Sequence, residues 1–134
     1  MGVVIDTCVW VDIERGHLKP AQVTARIGDA PVYLTPTVIA ELQYGVERAP
    51  STKQKTLRQE ATERLKNKPC LQIDENTATL FGSLCAKLDN RGTPSTHRVH
   101  DLWIAASTIQ HGFSLLTRNA GDFQDIPSLD LMII

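Results

Sequence analysis

The sequence predicts an α/β protein: a three-layer α/β/α sandwich with helices on both faces of a central, mainly parallel sheet. Three observations carry this expectation. Short apolar runs without alternation, Val3-Val4-Ile5 first among them, read as strands buried on both faces. Stretches of helical period separate those runs, and capping or turn residues mark the junctions. The chain's 134 residues are read as one domain, residues 1–134, with room for two helical layers around one sheet.

The first strand, Val3 to Ile5, ends at Asp6, and a short helix follows from Val9 to Glu14. Gly16-His17-Leu18-Lys19-Pro20 interrupts it before Ala21 to Ile27 resumes helical spacing, with Val23 and Ile27 at i, i+4. After the turn Gly28-Asp29-Ala30-Pro31 comes a second strand, Val32-Tyr33-Leu34. Thr35 then caps a helix with Pro36 in its first turn, and Val38, Ile39, Leu42 and Val46 form its apolar arc with Glu41 at the border. Ser51 to Lys68 mixes basic and acidic residues around a narrow stripe, Leu57, Ala61 and Leu65, and reads as a helix with a solvated face. Pro69 ends it.

Cys70-Leu71-Gln72-Ile73 reads as a third strand, and Asp74 caps a helix from Glu75 to Leu88. A polar loop from Asn90 to His100 follows, and Asp101 opens a helix apolar on nearly every side, through Ile109. Phe113 to Leu116 is the fourth strand, Thr117 to Phe123 a turn beyond its end, and Leu129 to Ile134 a final edge strand.

Composition narrows the function. A hydrophobic content of 42% and charged content of 22% fit a folded globular chain rather than a disordered one. A net charge of −1 argues against nucleic-acid binding by a broad basic face, although a chain of balanced charge still grips phosphate through bound cations. The three cysteines, Cys8, Cys70 and Cys85, are odd in number and widely spaced, which suits buried thiols in a reducing cytoplasmic compartment. No apolar run approaches the roughly 18 residues of a membrane span, and no signal-peptide pattern opens the chain. A cytoplasmic protein without a membrane partner is expected.

Four acids stand out by position. Asp6 and Asp122 follow buried strands, Asp101 opens a buried helix, and Glu41 lies within a helix that follows a strand. In an open α/β sheet all four places can face the carboxyl edge, where ligands bind. Each also has a plain reading: Asp6 and Asp101 as helix caps or first-turn acids, Glu41 as a rim residue, Asn119 and Asp122 as turn formers. Together the four would repel one another unless cations neutralise them. Carboxylate oxygens select Mg²⁺ or Mn²⁺, ions that serve phosphoryl transfer.

The segments Asp6-Thr7-Cys8-Val9-Trp10, Thr37 to Gly45, His100 to Ala106 and Thr117 to Phe123 resemble the four motifs of PIN-domain proteins. Within that family the chain is most similar, end to end, to the VapC toxins of toxin-antitoxin pairs. The resemblance implies a parallel sheet between helices, a homodimer, and Mg²⁺- or Mn²⁺-dependent endonucleolytic cleavage of RNA, held off by a VapB-like antitoxin. It further implies Asp6, Glu41, Asp101 and Asp122 as the catalytic acids, with Thr7 and Asn119 assisting. On this reading Asp6, Asp101 and Asp122 hold the metal, and Glu41 ligates it or positions the attacking water. Arg118 is a candidate phosphate contact, with an antitoxin carboxylate or solvent as its other partners. His97, Arg98 and His100 are phosphate contacts or solvated loop residues, outside the catalytic set.

Two other classes of function stand beside this one. One is a non-catalytic module of the same fold that acts through a protein or RNA partner. The other is a phosphatase or phosphoacceptor with Asp6 as nucleophile, but such sites carry Asp-x-Asp, and here the second position after Asp6 is Cys8.

Overall fold

The computed structural model describes residues 1–134. Its elements are β1 (Val3–Ile5), α1 (Thr7–Glu14), α2 (Pro20–Ile27), β2 (Val32–Tyr33), α3 (Pro36–Glu47), α4 (Thr52–Leu65), α5 (Glu75–Asn90), α6 (Val99–Gln110), β3 (Ser114–Thr117), a short 3₁₀ turn (Ala120–Asp122) and β4 (Asp130–Ile133). The four strands form one sheet in the order β2-β1-β3-β4, and every pairing is parallel. The expected sandwich is what the chain forms.

Alternation within β1 builds the layers. Val3 and Ile5 join Val9, Leu18, Val23 and Leu116 in a core under α1 and α2. Val4 and Leu115 point the other way, into a larger core with Val38, Leu84, Leu88, Leu102, Ile104 and Phe123. Side chains of successive strand residues take opposite faces, so a run apolar at every position is what two covered faces require. Gly2 precedes β1 because a Cβ there would lie 2.6 Å from the Tyr33 ring and 2.9 Å from Phe113.

The strand order fixes where a ligand can sit. From β1 the chain crosses to β2 on one side, whereas β3 is followed by β4 on the other. The crevice between the carboxyl ends of β1 and β3 is therefore the topological switch point, the preferred ligand site of open α/β sheets. Ile5 pairs with Leu116, which sets Asp6 beside Thr117 at that crevice.

Several expectations need correction. Cys70-Leu71-Gln72-Ile73 is not a strand: only a single parallel bridge, Leu34 to Cys70, forms there. Leu34 N donates to Pro69 O and Leu71 N to Leu34 O, but Thr35 already caps α3, so β2 has no further extended residue to pair. Helix α1 begins at Thr7 rather than Val9, and α6 at Val99 rather than Asp101, which makes Asp101 a first-turn acid and not a cap. The stripe on α4 is shorter than expected, for Leu57 is 50% exposed while Leu65 packs on the core. All three cysteines are free, yet none is fully buried, and Cys70 is exposed. No helix is long and apolar enough to cross a membrane.

Candidate active site

At the crevice the end of β1 becomes the start of α1, and Asp6 serves both. As N-cap, its Oδ1 accepts from Thr7 N at 2.8 Å. Its Oδ2 accepts from Thr117 Oγ1 at 2.8 Å and from Cys8 Sγ at 3.2 Å. Only 6% of the residue is exposed, so these donors, together with the cleft, replace the water it has lost. The capping and site readings of Asp6 are one arrangement rather than two alternatives. A cap whose second oxygen is anchored by the neighbouring strand is fixed in direction.

The other acids arrive on separate elements. Glu41 projects from α3, and its Oε1 accepts from Thr7 Oγ1 at 2.7 Å. Its Oε2 lies 3.6 Å from His100 Nδ1 at the mouth of α6. Asp101 stands in the first turn of α6, and Asp122 closes the 3₁₀ turn after β3. One open cleft of about 400 Å³ is lined by Asp6, Thr7, Glu41, Asp101, Asn119 and Asp122, all six of the acids and helpers named from sequence. Cys8, Val11, Asp12 and Arg15 complete its wall.

The electrostatics confirm that the carboxylates feel one another. Burial, then the charges of Asp122, Asp6 and Glu41, push the Asp101 carboxyl up from 3.8 to about 7, against the opposing pull of Arg98. Asp101 and Asp122 make no side-chain hydrogen bond or ion pair, in contrast to Asp6 and Glu41. The Cys8 thiol is pushed up to about 11 by burial and by Asp6, so it is a weak donor to the acid and no nucleophile.

The basic residues divide differently from expectation. Arg98 does not face the cleft as a phosphate contact: its Nη1 and Nη2 donate to Asp125 Oδ2 and Oδ1 at 2.8 and 2.6 Å, and Nη2 also to Asp122 O at 2.6 Å. Arg118 Nε lies 3.2 Å from Asp12 Oδ2, which holds the guanidinium at the rim beside the cleft. His97 and His100 line a neighbouring depression with Thr96, Arg98 and Val99, and share Glu41 and Asp101 with the acid cleft. Asp12 and Arg15 were not legible as site residues, although they stand at i, i+3 at the end of α1. Thr117 follows from register, since a parallel pairing of Ile5 with Leu116 puts the next residues side by side.

The donor set suits a hard divalent cation. Five carboxylates line the cleft, Asp12 paired with Arg118 and two, Asp101 and Asp122, without partners, and they supply oxygen ligands and excess negative charge. No three acidic, histidine or cysteine side chains close into a ligand cage. That is compatible with Mg²⁺ or Mn²⁺, since Mg²⁺ keeps several waters and needs only one or two carboxylates directly. Asp6, Asp101, Asp122 and Glu41 line this one cleft, so their oxygens are the ones that could hold such an ion.

Known proteins share this chain's sequence pattern and fold. The PIN domain family model matches residues 3–129. Ribonuclease VapC1 of Rickettsia felis is 32% identical, with all of this chain and 97% of that protein aligned. Ribonuclease VapC of Rickettsia bellii is 30% identical over the same shares. Among solved structures, VapBC2 from Rickettsia felis bound to a promoter DNA fragment superposes with a TM-score of 0.84 at 23% identity, covering 100% of this chain and 99% of that one. VapBC-5 from Mycobacterium tuberculosis gives a TM-score of 0.80 at 23% identity, both chains covered in full. These structural likenesses show the fold.

Proposed function

The chain belongs to the PIN-domain family, alongside the VapC ribonucleases, and on that premise we propose that it is a divalent-metal-dependent endoribonuclease, the toxin of a type II toxin-antitoxin pair. One observation carries this reading above the rest: four acids from four separate elements line a single cleft at the switch point of the sheet. A scaffold with no use for that cluster gains nothing from the repulsion that raises Asp101.

Bound there, Mg²⁺ or Mn²⁺ would polarise the phosphodiester and lower the pKa of water in the cleft. The chain's own residues supply position. Asp6 is fixed by Thr7 N and Thr117, Glu41 is held by Thr7 Oγ1, and Glu41 Oε2 faces the cleft mouth where it orients the attacking water. Asn119 offers an amide at the wall, and Arg118 and Arg15 give the rim positive charge for the backbone of a single strand of RNA.

The antitoxin has a docking place in this reading. A groove between α1, α3 and α4, lined by Trp10, Val11, Leu42, Ala61 and Leu65 and flanked by the charged Glu14, Arg15 and Arg58, runs up to Glu41 and so borders the acid cleft. The solved relatives are VapBC structures, and we assign this groove to a segment of a VapB-like antitoxin that presents an apolar face. A homodimer acting in the cytoplasm, where its RNA lies, completes the proposal.

The test is cleavage of total cellular RNA by the purified chain freed of any partner, with Mn²⁺, with EDTA, and with Asp6→Asn. Discrete products that need metal and vanish in the variant are expected, and their sequenced ends identify the cut site. Intact RNA under every condition rejects the nuclease and leaves a PIN-fold module that acts by binding alone.

A further inference from the structure

Asp101 and Asp122 differ from Asp6 and Glu41 in what holds them. Asp6 is gripped by Thr7, Cys8 and Thr117, and Glu41 by Thr7, whereas the carboxylates of Asp101 and Asp122 touch no donor. Their positions therefore depend on the backbone segments that carry them. Asp101 belongs to α6, whose register is set where the polar loop enters the helix at Arg98. Asp122 ends a three-residue 3₁₀ turn, an element too short to fix its own orientation.

A single side chain ties these two segments together. Arg98, three residues before Asp101, makes a two-pronged contact with Asp125, three residues after Asp122, and its Nη2 also donates to Asp122 O. The arginine side chain is 18% exposed and the aspartate 35%, so the pair is shielded from solvent far more than the exposed Lys55–Glu47 pair. The Arg98 guanidinium holds the Asp125 carboxyl below its ordinary range, as a charge-assisted fork does. Arg91 Nη1 adds a contact to Asp125 O at 3.3 Å.

We propose that Arg98 and Asp125 are positioning residues, a clamp that ties the turn carrying Asp122 to the start of the helix carrying Asp101 and so fixes where the two acids stand when a divalent cation binds. This inference rests on the metal-dependent reading of the cleft. It assigns the pair no contact with substrate. Groups behind a metal's ligands orient them, and losing such a group typically costs 10- to 100-fold in metal affinity or activity. Three hydrogen bonds from one planar group are geometry that lysine cannot reproduce, because an ammonium is a point charge without the fork.

The test measures Mn²⁺ affinity by titration calorimetry, kcat and KM on an RNA substrate, and thermal midpoint, for the unsubstituted protein, Arg98→Lys, Arg98→Met, Asp125→Asn and the remote control Lys55→Met. Expected are an unchanged control, Mn²⁺ binding weakened about 10- to 100-fold in all three clamp variants, and kcat reduced by a similar factor at unchanged KM. Arg98→Lys behaving as the unsubstituted protein overturns the clamp, because charge alone then suffices. A lowered thermal midpoint with Mn²⁺ affinity and kcat intact also overturns it, leaving the pair a structural tie. Absence of Mn²⁺ binding by the unsubstituted protein brings down the metal reading itself, and the clamp with it, and is told apart because the control fails too.

Discussion

Thr7 Oγ1 donates to Glu41 Oε1 at 2.7 Å across 34 positions of sequence, and through it the first turn of α1 aims an acid carried by α3. The same residue's amide caps onto Asp6, so Thr7 touches two of the four acids at once. A hydrogen bond to a charged group contributes about 1.5–3 kcal/mol, and here it serves orientation more than stability.

Thr7→Val keeps the shape and removes the hydroxyl. Cleavage is expected to fall about 10- to 100-fold, with the larger part in kcat, while Thr7→Ser retains most of it. Steady-state kinetics on one defined RNA checks this; equal rates for Thr7→Val and the unsubstituted protein would remove Thr7 from the site.

Asp6→Asn is expected to abolish cleavage and to weaken the fold slightly. Its carboxylate accepts from Thr7 N, Thr117 Oγ1 and Cys8 Sγ, and an amide presents an NH₂ to one side of that set. Asn caps as well as Asp, so loss of about 0.5–1.5 kcal/mol is expected from the buried Thr117 hydroxyl contact alone. Urea denaturation of the metal-free variant measures it, and a midpoint matching the unsubstituted protein would contradict the hydrogen-bonding described.

Metal-free stability should depend on pH through Asp101. Its folded value, about 7, lies above its ordinary 3.8, so the folded chain binds that proton more tightly than the unfolded chain does. The resulting stability is fully present below the ordinary value and is lost as pH rises through about 7. Calorimetric melting of Asp101→Asn should lack this component of the pH dependence and exceed the unsubstituted protein in thermal midpoint on the alkaline side. Saturating Mn²⁺ should close the gap, since 100-fold excess over Kd contributes about 2.7 kcal/mol to the form that binds. A melting curve with the same pH dependence in both proteins would deny the coupling.

Ala61→Glu places a charge in the groove that Trp10, Leu42 and Leu65 line. RNA cleavage should persist, and inhibition by the cognate antitoxin should weaken at least tenfold, because a carboxylate then stands where an apolar side chain would pack, at a cost above about 1.4 kcal/mol. Ala61 is partly buried, so the thermal midpoint of the variant is measured beside the inhibition. Undiminished inhibition would move the antitoxin to another face.

Much of this protein was legible in one dimension, and for local reasons. Val3-Val4-Ile5 announces a strand covered on both faces, Thr35-Pro36 and Asp74 announce helix starts, and the places of Asp6, Glu41, Asp101 and Asp122 after strands or inside helix mouths announce one sheet edge. Those features depend on neighbours within a turn or a strand. What the tertiary structure decided depends on partners far along the chain. Cys70 to Ile73 has strand composition but meets only Leu34, because α3 begins directly after it. Leu57 has helical spacing but no surface to cover it. Arg98 reads as a loop cation open to phosphate until Asp125, 27 residues on, takes both prongs of its guanidinium. Propensity and periodicity are written into adjacent residues, whereas the choice of partner for a strand edge, an apolar stripe or a charge is made by the order of strands in the sheet and by which segments that order brings into contact.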